Sequence, residues 1–198
     1  MKLKEFRDRI RLIFTCMFSI IYLPHYICYL VKGGANSRIF DDVQRDIPEV
    51  CKNMPISVAL LYKLHTNRYF RTLFYYRIGP ILSSMIQWYR PGDKYFVIPY
   101  STVLEGGVKI AHPYATVLNA DYIGRNFSVV NCTTIGKQND DRPTIGDDVS
   151  VGANVLIIGK VKIGNNVTIG AGAVVVKDIP DNAIVVGNPG HVIKYKTT

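Results

Sequence analysis

The sequence predicts a mainly β protein, a coil of short parallel strands preceded by an α-helical N-terminal region, and two observations carry that prediction. Ile145, Val151, Ile157, Ile163, Ile169 and Val175 recur every six residues without a slip, and Val149, Val155, Val161, Val167, Ala173 and Ile179 follow them by four. A period of six with Gly146, Gly152, Gly164 and Gly170 just after the aliphatic residue fits neither a helix nor a simple alternating strand. The second observation is a change of character around RPGDK, residues 90–94, upstream of which apolar residues fall nearer helical spacing. The boundary is placed there, giving a helical region over 1–94 and a coil with its C-terminal tail over 95–198.

The chain of 198 residues is long enough for one sizeable core or two small ones, and 48% hydrophobic with 20% charged residues excludes wholesale disorder. The formal charge of +9 is not spread evenly. Residues 1–97 hold 15 basic and 7 acidic side chains, residues 98–198 hold 9 and 8, so the excess is N-terminal. Cys16, Cys28, Cys51 and Cys132 match neither a zinc pattern nor a dense disulfide framework, which favours a reducing, cytoplasmic compartment.

From Leu12 to Val31 the chain carries no Asp, Glu, Lys or Arg, and Lys2, Lys4, Arg7, Arg9 and Arg11 precede it. Twenty such residues have the length to span a bilayer, but Pro24 and His25 interrupt them. The expectation is a bent apolar helix lying in or against a membrane, its basic residues toward anionic headgroups, with a buried core helix pair as the competing reading. Over 38–90, Asp46 and Pro48 mark a helix start and Val58, Leu61, Leu64 and Tyr69 lie near helical spacing. The run RYFRTLFYYRIG, 68–79, interleaves Arg68, Arg71 and Arg77 with five aromatics. It reads as a helix with aromatics inward and arginines outward, and nothing else in the chain resembles a nucleic-acid module.

The six-residue frame reappears at Ile123, Val129 and Ile135 and at Ile98, Leu104 and Ile110, giving about thirteen turns if Val117 is counted. Two places break it: seven residues from Ile110 to Val117, and ten from Ile135 to Ile145, whose surplus within KQNDDRP predicts a protruding loop. The segments IGDDVS, VGANVL, IGNNVT and IGAGAV resemble the hexapeptide repeats of the left-handed β-helix acyltransferases. That resemblance implies a left-handed parallel β-helix, a homotrimer, and acetyl-CoA bound in clefts between neighbouring coils. The N-terminal helices, AHPYATV, the loop near DDRPTIG and the ending DNAIVVGNPG look closest to the serine acetyltransferase branch, including its relatives that acetylate surface sugars.

Acetyl transfer to a hydroxyl needs a base, and a neutral imidazole suits it. His112 is the histidine within the repeat turns, at an outward position on the seven-residue slip, and it falls where the serine acetyltransferase motif carries its catalytic histidine. The chain departs from that motif at Ala111, where the family has an acid, and at Pro143, where it has a second histidine. Asn119, Asp121 and Glu105 are candidates to orient His112, and Asn119 with Arg142 is placed on the acceptor side, Arg142 by resemblance. The small residues Gly136, Ala153 and Ala171 are, by resemblance, those along which CoA lies, and Lys160, Lys177, Lys194 or Lys196 are candidates for its phosphates. One histidine in the coil speaks against a three-histidine zinc site, so no metal is expected. Cys132 has no neighbouring base to make it a nucleophile. The expected activity is acetyl-CoA-dependent O-acetylation of a sugar hydroxyl of a surface polysaccharide or its precursor, with serine O-acetylation as the alternative.

Overall fold

The computed structural model describes residues 2–197, which divide into two compact units, Met1–Gly92 and Asp93–Thr198. Among the described residues the first unit holds six helices, α1 (Lys2–Met17), α2 (Leu23–Val31), α3 (Arg38–Arg45), α4 (Ile56–Thr66), α5 (Arg68–Ile78) and α6 (Pro80–Ile86), with short 3-10 turns between some of them. Local chemistry sets their ends. Ser37 caps α3 by accepting from the Phe40 N–H, and Asn67 caps α5 by accepting from Tyr69 and Phe70 N–H. Pro24 stands in the first turn of α2, where its missing N–H costs nothing, so the break in the apolar stretch comes earlier, at Phe18, with a bend of 72°. Among the described residues no single helix is long and apolar enough to cross a membrane.

The interior of this unit is built from Leu60, Leu64, Phe70, Leu73, Phe74 and Ile78 with Tyr22, Ile39 and Val43. Asp46 ends α3 rather than starting a helix, Pro48 precedes a single 3-10 turn, Glu49–Cys51, and α4 begins after Pro55. The 68–79 run corrects the sequence expectation in part. Phe70, Phe74 and Tyr75 do point inward, but so does Arg77, whose guanidinium makes a two-point ion pair with buried Asp42 at 2.8 and 3.2 Å. Arg71 likewise turns in, donating to the Leu64 carbonyl at 2.7 Å and the Pro91 carbonyl at 2.9 Å.

A second polar network pins the apolar N-terminal stretch to the rest of the unit. His25 is fully buried, its Nε2 2.9 Å from the Tyr75 hydroxyl and its Nδ1 3.2 Å from that of Tyr89. Tyr75 gives its proton to the Arg90 carbonyl, and Arg90 in turn donates to Tyr22. Because the Tyr75 proton is given to Arg90, a neutral ring can donate Nε2–H to the Tyr75 oxygen, while the Tyr89 hydroxyl beside Nδ1 gives its own proton to the Ile21 carbonyl at 3.0 Å. Burial, reinforced by the Arg71 and Arg90 charges, lowers the His25 pKa to about 4.

In the second unit each six-residue repeat supplies a two- or three-residue strand and a corner, and three repeats close one coil. The first face carries β1 (Phe96–Val97), β4 (Thr116–Leu118), β7 (Thr134–Gly136), β10 (Leu156–Ile158) and β13 (Val174–Val175). The second carries β2 (Val103–Leu104), β5 (Tyr122–Ile123), β8 (Thr144–Ile145) and β11 (Lys162–Ile163). The third carries β3 (Lys109–Ile110), β6 (Ser128–Val129), β9 (Ser150–Val151), β12 (Thr168–Ile169) and β14 (Ala183–Val186), closed by the antiparallel β15 (His191–Tyr195). All pairings apart from that last one are parallel within these faces. The architecture is the left-handed parallel β-helix class, and the thirteen units counted in the sequence are its sides, wound into about five coils.

The inward residues are those the period singled out: Ile145, Val151, Ile157, Ile163, Ile169 and Val175 are all buried, as are the residues four places on. Val117 is the exception. It is half-buried, and Leu118, fully buried and paired with Ile135, holds the inward place. The seven-residue slip is thus a stretch of eight from Ile110 to Leu118 followed by a short five from Leu118 to Ile123.

Glycine after the inward aliphatic has a steric cause. At the corner between the second and third faces a Cβ on Gly124 would stand 2.3 Å from Asp147 Oδ1 and 2.5 Å from the Gly146 backbone. The close approach lets carboxylate and amide oxygens of one coil accept backbone N–H groups of the preceding coil, Arg125 to Asp147 at 2.7 Å, Asp147 to Asn165 at 2.8 Å and Asn165 to Asp181 at 2.7 Å. Asn126, Asp148, Asn166 and Asn182 then take the left-handed conformation that turns the corner, which Asn and Asp tolerate best among residues with a side chain.

Candidate active site

His112 lies in the eight-residue stretch, at the corner joining the third face to the first. Its side chain is exposed and its backbone is left-handed at φ 51°, as is that of Ala115 at the same corner. The neighbouring residue Pro113 is buried, and the His112 carbonyl accepts from the Tyr114 N–H at 2.7 Å, so two surplus residues are taken up in a tight local turn. The result is an imidazole held on the outer edge of the coil by backbone geometry. The left-handed conformation is shared with other corners of the coil, so what distinguishes His112 is the two-residue surplus around it.

Successive coils repeat this corner. The Cys132 N–H donates to the Tyr114 carbonyl, the Asn154 N–H to that of Asn131, and the Gly172 N–H to that of Ala153, which aligns Tyr114, Asn131, Ala153 and Ala171 in one column. Ala153 is half-buried and Ala171 exposed, and a Cβ on Gly152 would stand 2.7 Å from the Ala171 nitrogen. At Ala153, Ala171 and Gly172 this edge is therefore small-sided backbone, with Asn131 and Cys132 between it and His112. Cys132 is exposed here in a left-handed conformation, with Asn131 Nδ2 3.6 Å from its sulfur.

Asn119 and Arg142 belong to a different edge, between the first and second faces. The loop over 137–143 folds back in a tight turn, Gln138 and Asp141 exchanging both backbone hydrogen bonds at 3.0 and 3.1 Å with left-handed Asn139 at its tip. From the loop's base Arg142 reaches the preceding coils: its Nε is 2.7 Å from Asp121 Oδ1 and its Nη1 2.9 Å from Ser101 Oγ. Asn119 lies half-buried two residues before Asp121, its N–H bonded to the Ile135 carbonyl at 2.8 Å. Gly136 is on this edge too, buried, with Ile158 Cδ1 3.2 Å from where its Cβ would be, so stacking explains its small size.

Within one chain, then, His112 shares an edge with Ala153 and Ala171, while Asn119, Arg142 and Gly136 share another. Asp121 is engaged by Arg142 on that second edge, and Glu105 lies at the third corner, so none of the proposed orienting groups falls on the His112 edge. Among the candidate lysines, Lys196 Nζ donates to Asn166 at 2.9 Å and Lys160 lies 3.8 Å from Asp141. Sequence reasoning missed Ser101 and the pairing of Asp121 with Arg142. Finding them requires knowing the coil length across the loop. Among the described residues no group of three or more His, Cys, Asp or Glu is placed to hold a metal.

The family model described as bacterial transferase hexapeptide (six repeats) matches residues 142–177. The chain is 46% identical over 87 residues to the putative colanic acid biosynthesis acetyltransferase WcaB of Escherichia coli K12, covering 42% of this chain and 54% of that protein. It is 41% identical over 75 residues to the serine acetyltransferase of Mycobacterium tuberculosis, covering 36% of this chain and 33% of that one. Among solved structures it is similar to Neisseria gonorrhoeae serine acetyltransferase, with a TM-score of 0.66 and 26% identity over 81% of this chain and 66% of the other. The match to the same enzyme in complex with serine has a TM-score of 0.63 and 28% identity over 84% of this chain and 73% of the other. The matched part thus spans about half the length of the WcaB relative and a third of the mycobacterial one.

Proposed function

We propose that this chain, whose coil is of the bacterial hexapeptide-transferase type, is an acetyl-CoA-dependent O-acetyltransferase that acts on a sugar hydroxyl of a surface polysaccharide or its precursor. The similarity to acetyltransferases supports acetyl transfer. One observation favours a neutral acceptor: Arg142, the residue that resemblance puts on the acceptor side, is already matched by Asp121 at 2.7 Å and tethered to Ser101. A serine acceptor brings a carboxylate that seeks an unmatched cation. With Asp121 in place a serine carboxylate has to share an arginine that is already paired, and serine's ammonium has to compete with Arg142 for Asp121, whereas a sugar hydroxyl needs neither charge.

In the reading adopted here His112 removes the acceptor proton as its oxygen attacks the thioester carbonyl, and the imidazolium returns a proton to the departing CoA sulfur. Acetyl-CoA lies along Ala153 and Ala171 below the histidine, where small side chains leave the backbone open. Because Arg142 and Asn119 stand on another edge, one acceptor meets them and His112 together only when two copies place unlike edges side by side, as a cyclic homotrimer does. Outward-facing Val97, Leu156, Val103 and Tyr122 on the first and second faces supply apolar area for such contacts. The protein works on the cytoplasmic side, where acetyl-CoA is available, with no metal.

The test is thiol release from acetyl-CoA by the purified chain, offered serine and, separately, nucleotide- or lipid-linked sugars. Turnover with a sugar and none with serine is the expected result, and preference for serine would replace this reading by the alternative. His112→Ala should lower turnover by roughly 10² to 10⁴ with the fold intact, and a variant keeping more than about a third of wild-type turnover would remove His112 as the base.

A further inference from the structure

Helix α1 is packed inside out. The residues it turns toward the helical unit are Thr15, which is buried, and half-buried Asp8 and Leu12, where it meets α4. Leu3, Phe6, Ile10, Ile13 and Met17 recur at spacings of three and four on its exposed side. The same arrangement continues in the adjoining elements. In α2, Tyr22-side packing buries His25, Cys28 and Tyr29, while Leu23, Ile27, Leu30 and Val31 stay exposed. Helix α6, which packs on α2, buries Ser83 and Ile86 and exposes Ile81 and Met85, with Trp88 just beyond its end 79% exposed. Three neighbouring helices that each leave an apolar stripe outward are far more than the scattered exposed apolar residues of an ordinary surface.

Charge decides what covers them. A recess of about 560 Å³ along α1 is lined by Leu3, Phe6 and Ile10 with Lys4, Arg7 and Arg11, and exposed Lys32 follows the α2 stripe. A second copy seated on this face would bring two such sets of like charges together, whereas an anionic lipid surface matches both the apolar stripes and the cations beside them. Long Lys and Arg side chains reach headgroups while their stems cover apolar surface, and a tryptophan suits the interface. We infer that the outward stripes of α1, α2 and α6 form a docking surface for an anionic membrane, on which the protein lies without crossing it. The stripes belong to the helical unit and the acetyl-transfer residues to the coil, and the test does not use turnover.

The experiment is co-sedimentation of the full chain with vesicles of phosphatidylcholine alone or with about a third phosphatidylglycerol, each exposed basic residue adding on the order of fivefold in affinity. Binding to the anionic vesicles at least tenfold stronger than to the neutral ones is expected. Leu3→Ser with Phe6→Ser and Ile13→Ser should reduce it tenfold or more, Lys4→Glu with Arg7→Glu likewise, and Ile81→Ser with Trp88→Ser by less. All these side chains are exposed, so circular dichroism should match the wild type. If a variant fails to fold, the wild-type comparison of the two vesicle types still decides. Indifference of the full chain to anionic vesicles, equal binding to both kinds, or a self-association that the serine variants abolish would each overturn the proposal, the last in favour of a second copy.

Discussion

The helical unit and the coil are held together by opposite strategies. In the coil the same device is used at every level: an aliphatic residue inward, a small or left-handed residue at the corner, and an Asn or Asp accepting an N–H of the coil before it. Apart from the Arg142 contacts across the loop and the antiparallel closure by β15, stability there is the sum of many similar neighbours. The helical unit relies instead on contacts that occur once, the buried Arg77–Asp42 pair and the hub around His25. Its outer face also differs, since it leaves apolar stripes where the coil presents mainly polar corners. Repetition spreads risk, and single-use polar contacts concentrate it.

The largest expected difference comes from removing one partner of a buried charge. Asp42→Ala takes the counter-charge from a guanidinium whose side chain is 4% exposed and should destabilise the helical unit by about 3 to 5 kcal/mol, read from denaturant melts followed by Trp88 fluorescence. The coil, which contains no tryptophan, should keep its own transition by circular dichroism, and coincident loss of both would merge the two regions into one cooperative unit.

Truncating one inward aliphatic of the coil is the matching experiment. Ile157→Ala, at a fully buried position, should cost about 2 to 5 kcal/mol. The same change at Leu156, whose side chain faces outward on the same strand, should cost much less, and equal costs would contradict the inward frame.

Acid should separate the regions more gently. The folded His25 titrates near 4 and the unfolded one near 6.5, so between those values the unfolded chain binds the extra proton. The helical unit therefore keeps this stabilisation above pH 6.5 and loses up to about 3 kcal/mol of it as the pH falls toward 4. His65, whose Nδ1 lies 3.3 Å from both the Tyr22 hydroxyl and Arg90 Nη2, is lowered by burial and by Arg90 and acts in the same direction. A Trp88-monitored stability that stays flat across this window would rule out the neutral buried hub.

The smallest expected effect is at a cap. Ser37→Ala removes the acceptor of the Phe40 N–H and should lower the helical unit's stability by about 1 kcal/mol, a shift of a few degrees in its melting temperature. The structure also changes how the N-terminal stretch is to be probed. Deleting residues 1–31 would take Tyr22, His25 and Tyr29 out of the interior, so exposed-residue substitutions are the cleaner tool.

The six-residue period determined by itself the coil, its inward residues and the outward place of His112, because in a stacked coil the spacing along the chain is the spacing in space. Glycine and asparagine at the corners were legible for the same reason. What counting along the chain did not reveal was how a slip is divided. Seven plus six and eight plus five give the same total between Ile110 and Ile123, and only the pairing of Leu118 with Ile135 chose the second. Nor was the pairing of Arg142 with Asp121 and Ser101 legible, since it joins coils across a loop of irregular length. In the helical unit the limits were wider. Tyr22, His25, His65, Arg71, Tyr75, Tyr89 and Arg90 come from distant segments, and composition alone marked His25 only as an interruption of an apolar run. Tertiary packing decided that it is a buried hub and that the apolar residues around it face outward, because without a repeat the face a helix buries is set by its neighbours.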